Sequence, residues 1–363
     1  MKRNVRAYAG VLRVTLAVIV VLVMGKVRTV SAQENQGSSQ QAQERDQQDQ
    51  KMRYRKVELL HVQGNVYMIA GAGANITVQV GNRFVIVVDA GVSQMSGEIL
   101  EAIRSITDKH ILFVIDTSAD DDHTGGNENL SKAGWALPNA SINPLENGAP
   151  TGLTLPSGAS ILSHINVLNR MSAPTGKASL APSSRWPTDT YEGEDWRLYN
   201  GEEVYIYHAP NAHTDGDSYI LFRRSGVVST GDIFTLASYP VIRADQGGSL
   251  NGLIDALNTI IELLVPEENE EGGTYVIPGH GRICDRNDVV NYRDMVTIIR
   301  GQIDAMLDKG MTLDQVKAAR PTLEFDGLYG VTNGPWTTDT FVEAVYQELT
   351  KNKARQQKVG GAK

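Results

Sequence analysis

Four short stretches gather residue types that bind cations and move protons. They are Ser118-Ala119-Asp120-Asp121-Asp122-His123, then His213, then Asp232 in Ser229-Thr230-Gly231-Asp232, and His280 in Pro278-Gly279-His280-Gly281. Each follows an apolar run closely, and strand ends are where open α/β architectures place their chemistry. Carboxylates and imidazoles gathered at strand ends suit Zn, Fe or Mn. The competing explanation is local: Asp120, Asp121 and Asp122 also suit a solvated acidic turn at a helix N-terminus, and Asp232 suits a turn.

The elements that must position these residues begin after residue 56. Short β-rich runs at 57–62, 66–70, 76–80 and 83–88, with Gly81-Asn82 as a hairpin turn, predict an antiparallel meander. Apolar residues at helical spacing over 93–106 (Ile99, Ile103, Ile106) predict a helix, and 110–115 is a continuous apolar run expected to be a buried strand. A second pass follows, with strands at 203–207, 218–223, 226–229 and 274–277 and a helix at 250–264. Two β-then-α halves imply a sheet-on-sheet core flanked by helices on both outer faces. Between the halves, 136–201 is rich in Pro, Ser, Gly and Thr, with one helix expected near 166–171, and reads as a functional loop or lid. Helices are expected at 289–307, 313–319 and 338–350.

The N-terminus carries Lys2, Arg3, Arg6 and Arg13 ahead of an apolar run over 14–24, with Val30-Ser31-Ala32 as a small-residue cleavage site. That pattern is a secretory signal peptide; the run is short of the ~20 residues needed to span a bilayer. The protein is expected to be periplasmic or secreted, cleaved near Ala32, with no stable membrane insertion afterwards. Removing the six basic residues of the leader takes the formal charge from -8 to -14, and so acidic a body repels nucleic acid. Cys284 is the single cysteine, so no internal disulfide forms and the fold must be stabilised by burial. Residues 33–56, rich in Gln, Glu, Ser and Asp, are expected to be a disordered linker, and 351–363 a frayed tail.

The four stretches together resemble the metallo-β-lactamase superfamily, whose pattern is HxHxDH followed by a distant His, Asp and His. Here 117–127 (TSADDDHTGGN) matches the first motif in part, Ala212-His213-Thr214-Asp215-Gly216-Asp217 resembles the third-histidine motif, Gly231-Asp232 the bridging aspartate, and Pro278-Gly279-His280-Gly281 the last histidine. The resemblance runs from about Val57 to Tyr292. It implies an α/β fold of the four-layer αββα sandwich type (the metallo-β-lactamase fold) over 57–292, with 293–350 as a helical extension packed on it. The departure is at the first two histidines, where Ser118 and Asp120 stand, giving SxDxDH. The resemblance implies that one metal group keeps all its ligands, Asp122, His123, His280 and the bridging Asp232, while the other keeps His213 and a share of Asp232.

Two imidazoles and two carboxylates suit one Zn ion, and Asp120 beside His213 and Asp232 offers a more oxygen-rich place for a second ion, Zn, Mn or Fe. Ser118, neutral, is expected only to donate or accept a hydrogen bond behind a ligand. Such an ion lowers the pKa of a bound water toward ~7, with Asp122 or Asp120 orienting that water or taking its proton. The reading is hydrolysis of a small-molecule ester, lactone, thioester or amide. The alternative is a ligand-binding protein that keeps the scaffold without catalysis. A mononuclear iron oxygenase fits poorly, because that chemistry relies on the altered group. Asp121 is expected to be surface charge, and Asp215 and Asp217 to brace the loop around His213. His61, His110, His164 and His208 are expected to be structural, with His164 near enough to line a pocket, and Trp186, Trp196 and Trp336 either wall the cleft or pack. Cys284 is expected to be a small buried residue. Substrate and oligomeric state are not legible.

Overall fold

The computed structural model describes residues 57–136, 158–173, 178–267, 269 and 272–360. The expected signal peptide and Gln-rich linker lie outside them, as do 137–157 and 174–177 of the expected loop. Along the chain run β1 (Glu58–Gln63), β2 (Val66–Ala70), β3 (Ile76–Val80), β4 (Val85–Val88), α1 (Ser96–Ile106), β5 (Ile111–Ile115), α2 (Asp121–Thr124), α3 (Asn127–Ala133), β6 (Ser160–His164) and α4 (Ile165–Ser172). The second half holds β7 (Asp189–Tyr191), β8 (Asp195–Tyr199), β9 (Glu202–His208), β10 (Ser218–Phe222), β11 (Val227–Ser229), α5 (Leu250–Leu263), β12 (Tyr275–Ile277), α6 (Arg286–Asp308), α7 (Leu313–Ala319), α8 (Asp326–Tyr329) and α9 (Thr338–Gly360).

Strands β1 to β7 form a seven-stranded sheet in sequence order, and β12-β11-β10-β9-β8 form a five-stranded one. The meander β1–β4 is antiparallel, whereas β4, β5, β6 and β7 pair in parallel. Parallel strands bury both faces, which is why VIVV in β4 and ILFVI in β5 are apolar throughout and fully buried. The inner faces of the two sheets share one core: Met68, Ile86, Val88 and Ile115 from the first meet Val204, Ile206, Ile220 and Phe222 from the second. Polar links also cross that apolar interface, among them a buried hydrogen bond between the Tyr191 hydroxyl of β7 and the Ser218 hydroxyl of β10 at 2.5 Å. Thr77 Oγ1 donates to Ser229 Oγ at 2.9 Å, and the Gln79 amide donates to Glu202.

The outer face of the second sheet is covered by α5, α6 and α9. In α5 the Ser249 side chain caps the first turn, and Leu250, Leu253, Leu257 and Ile260 recur at helical spacing on the buried stripe. On the far side, α1 turns Ile99 and Ile103 inward. The result is an α/β sandwich of helix, sheet, sheet and helix layers.

Three expectations need correction. The described residues of the segment 136–201 are not a loop with a single helix: they supply β6, β7 and β8, including two edge-side strands of the first sheet and the edge of the second. Their strands are short and mixed in polarity (SILSH, DTY, DWRLY), so pattern alone did not separate them from loop. Nor does a boundary fall at residue 292, because α6 runs through it from a capping box at Asp285 and Asp288. Helix α9 also continues through 351–360, where a frayed tail was expected. Good helix formers fill that stretch, and Lys353 is ion-paired to Asp304 and Asp308 of α6. Among the described residues, no helix is long and apolar enough to cross a membrane.

Candidate metal centre

Strand β5 ends at Ile115 and delivers the chain into the loop that carries Ser118, Asp120, Asp122 and His123. Asp120 stands at the N-cap of α2, with the His123 and Thr124 amides donating to its carbonyl oxygen at 3.0 Å each. The glycine pair that follows is demanded by contact. A Cβ on Gly126 would sit 2.2 Å from the Ala90 carbonyl oxygen, so the turn can press against the loop after β4 only with glycine there. That pressing brings the Ala90 amide to the His123 carbonyl at 2.6 Å and seats the His123 ring on Asp89.

Asp89 holds that ring. Its Oδ2 lies 2.8 Å from His123 Nδ1, while Oδ1 accepts from the Thr117 amide at 2.8 Å and the Thr117 hydroxyl at 2.9 Å. Asp89 sits at φ +64°, a conformation that aspartate tolerates better than most residues. With Nδ1 engaged behind, Nε2 faces forward, 3.3 Å from Asp232 Oδ1. Asp232 follows β11, and the same Oδ1 lies 3.4 Å from His280 Nε2. His280 follows β12, and its Nε2 is 3.2 Å from Asp122 Oδ2.

His213 lies in the loop between β9 and β10. Its Nδ1 is 3.4 Å from Asp217 Oδ1, and Asp217 accepts from the Thr214 amide and hydroxyl at 2.6 and 2.7 Å. Its Nε2 is 3.6 Å from Asp120 Oδ2. Two groups result, Asp122-His123-His280 and Asp120-His213-Asp232, each with ligand atoms within 4.8 Å of one another. Asp232 lies between them. Ser118 belongs to neither: its hydroxyl accepts from the Asp120 amide at 3.3 Å.

Electrostatics follow from the burial of so many charges. Burial alone would lower the His123 pKa, but the Asp89 and Asp232 carboxylates outweigh it and raise it well above the ordinary value. Burial likewise opposes the upward shifts of His213, caused by Asp217, and of His280, caused by Asp122 and Asp232. Burial would raise the Asp232 carboxyl, yet the three surrounding histidines hold it far below the usual carboxylate range. His123 Nε2 and His213 Nε2 are buried and have no hydrogen-bond partner among the described residues. Buried polar atoms are rarely left so; both face carboxylates, and the His123 nitrogen, with Asp122, Asp232 and His280 about it, fits a cation. The site opens on one side only: His123 and His213 are fully buried, while Asp122 and His280 keep about a third of their side-chain surface.

Other residues singled out in the sequence lie elsewhere. Asp121 pairs with Arg185 at 2.6 Å, and Asp215 with Arg170 at 2.5 Å. His164 caps α4 and stacks on His208 at 3.6 Å; burial, then the neighbouring His208, pushes its pKa down to about 4. His110 stacks on Trp135, and His61 meets Tyr67 edge-on. Trp186 Nε1 donates to the Ala181 carbonyl, Trp196 is exposed, and Trp336 packs on the helical side of the second sheet. Cys284 is buried beside β12, and burial pushes its thiol up to about 12.

Two contributors escaped the sequence reading. Asp89 carries no motif apart from following the apolar VIVV strand, the same strand-end signal that marked the others. Arg243 donates from Nη2 to Asp120 Oδ2 at 2.9 Å. Burial alone would lower its pKa, but the Asp120 and Asp232 charges raise it.

A family model described as the metallo-beta-lactamase superfamily matches residues 63–280, more than half the chain. The fold is similar to that of the stereoselective inverting sec-alkylsulfatase Pisa1 from Pseudomonas sp., at 14% identity and a TM-score of 0.54, covering 80% of this chain and 50% of that one. A double mutant of the same sulfatase gives a TM-score of 0.55 at 14% identity, with the same two coverages. A metallo-beta-lactamase from Pontibacter korlensis matches at 13% identity and a TM-score of 0.48, over 67% of this chain and 99% of that one. The chain spans about half the length of the sulfatase structures it matches. A comparison with curated proteins returned no match.

Proposed function

Because the chain belongs to the metallo-β-lactamase superfamily, whose members are mostly hydrolases, we propose that it is an exported metal-dependent hydrolase of a small ester, lactone, thioester or amide. The observation that carries this reading is the convergence of six donors from two sheets, with two buried imidazole nitrogens aimed at shared carboxylates. Asp122, His123, His280 and Asp232 would hold one ion, for which the two imidazoles favour Zn; Asp120, His213 and Asp232 form a more oxygen-rich group suited to Mn or Fe. A cation bound there supplies Lewis acidity and makes a coordinated water acidic near neutral pH.

The chain's own groups do the rest. Asp89 fixes the tautomer of His123, and Asp217 steadies His213 from behind. Asp122, at the open rim beside His280, would orient an attacking water and take its proton; Asp120, whose Oδ2 accepts from Arg243, would do so only through its other oxygen. Desolvation by the surrounding apolar core strengthens each of these interactions.

Metal analysis of the purified protein together with a panel of esters, lactones, thioesters, β-lactams and alkyl sulfates tests the proposal. Turnover that depends on added Zn and disappears in His123→Ala is expected. A protein that takes up no transition metal on reconstitution would remove the reading. One observation favours a second reading, a binding protein without catalysis: the Arg243–Asp120 ion pair engages a carboxylate that a catalyst would leave free. Ligand-induced thermal stabilisation without turnover across that panel is its signature. Export is tested by sequencing the N-terminus of the mature protein, expected at Gln33.

A further inference from the structure

We propose that Arg243 supplies a fixed positive charge at the Asp120–His213–Asp232 group, so that this centre takes one divalent cation, at Asp122, His123, His280 and Asp232, and not two. The inference rests on the reading that the latter residues hold an ion. Its geometric basis is a single oxygen. Asp120 Oδ2 is the atom of that carboxylate turned toward His213 Nε2, at 3.6 Å, and the same atom accepts from Arg243 Nη2 at 2.9 Å. A second cation would have to share that oxygen with a guanidinium, whose charge is never lost at ordinary pH.

The residue that carries the guanidinium is anchored through its backbone. Arg243 follows β11 by a long connection, and its amide donates to the His213 carbonyl at 3.0 Å. Its own carbonyl accepts from the Gln246 and Gly248 amides at 2.8 and 3.0 Å. A Cβ on Gly248 would stand 2.0 Å from the His213 carbonyl oxygen, so glycine there lets the two loops lock together. The Arg243 backbone is thereby tied to the His213 loop, while its side chain reaches Asp120 from a position 42% exposed.

The donor set points the same way. With Ser118 engaged by the Asp120 amide, this group offers one imidazole and two carboxylates, a poor match for Zn and a good one for a guanidinium. Three carboxylates, Asp120, Asp122 and Asp232, face the cavity. One divalent ion and one guanidinium balance them. Adding a second ion beside Arg243 would place like charges a few ångströms apart, on the side where Asp120 and His213 are largely withdrawn from water.

The test is a count of ions. The full chain, stripped with chelator, is titrated with Zn²⁺ and separately with Mn²⁺, and the retained metal is measured by mass spectrometry after gel filtration. The wild type is expected to retain one equivalent and Arg243→Ala two, with the second ion bound at least tenfold more tightly than in the wild type. Arg243→Lys, which keeps the charge, stays at one. If Arg243→Ala loses its cooperative melting transition, Arg243→Gln replaces it, preserving length and a hydrogen-bond donor without the charge. Two equivalents in the wild type, or no gain in the neutral variants, would overturn this inference alone. Zero equivalents in the wild type would overturn it together with the proposed function.

Discussion

Asp89→Asn is the sharpest probe of how the centre is built. The substitution keeps the shape of the side chain and suits the left-handed backbone at this position. What changes is the pattern of donors and acceptors. The carboxylate accepts from the Thr117 amide and hydroxyl on one oxygen and faces His123 Nδ1 with the other. An amide has one acceptor oxygen, and the two Thr117 donors claim it. Its NH₂ then faces His123 Nδ1, which must become the acceptor, so the ring proton moves to Nε2 and the lone pair that would ligate is lost. Changing the partner behind a ligating histidine costs roughly 10–100-fold in metal affinity, or about 1.4–2.7 kcal/mol. The alternative rotamer keeps the His123 tautomer, and the Thr117 hydroxyl, 2.9 Å from either oxygen, still finds an acceptor, but the Thr117 amide is left opposite an NH₂ in a site only 1% exposed, at a cost of about 1–3 kcal/mol of stability. Competition for Zn²⁺ with a chromophoric chelator and thermal unfolding of the apo protein read the two costs separately. Wild-type affinity within twofold, together with an unchanged melting temperature, would refute the reasoning.

Three further outcomes are expected. Removal of the ion with a chelator should lower the melting temperature reversibly; binding at 100-fold above Kd is worth about 2.7 kcal/mol, so re-addition of Zn²⁺ should restore several degrees in a thermal scan. Tyr292→Phe should be neutral or stabilise by up to about 1 kcal/mol in urea titrations, because the Tyr292 hydroxyl is buried with no hydrogen-bond partner among the described residues. The Cys284 thiol, pushed up to about 12 by burial, keeps its proton in the folded protein where an unfolded thiol, with a pKa of about 8.5, loses it. The unfolded state then binds fewer protons between those values, so stability should fall as pH rises from about 8.5 toward 12, and Cys284→Ala should flatten that alkaline limb. An identical slope in the variant would count against it.

The sequence exposed the parts of the fold in which pattern and burial agree. The four strands of the meander, α1, β5 and α5 fall within a few residues of expectation, because each carries an unbroken period of two or 3.6 or an apolar run. Strands β6 to β8 were missed because their stability comes from pairing with neighbours distant in sequence, not from their own three to five residues. The six residues of the two candidate groups were legible because each sits beside a distinctive turn. Asp89 and Arg243 were not. Their roles depend on where two loops cross, and nothing in VVDAG or VIRADQGG announces which side chain another loop will meet.

The hydrogen-bonded links between the sheets, Thr77 to Ser229, Gln79 to Glu202 and Tyr191 to Ser218, bear on how well such a centre keeps its shape. Oily faces slide over one another with little penalty, since dispersion contacts have almost no directional preference. Hydrogen bonds do, and these act as dowels between layers whose loops each contribute half of the donors. Thr77→Val would leave the layers just as greasy with one dowel fewer, while Gln79–Glu202 and Tyr191–Ser218 still pin them, so a substitution remote from every ligand would loosen the spacing of all six without freeing it.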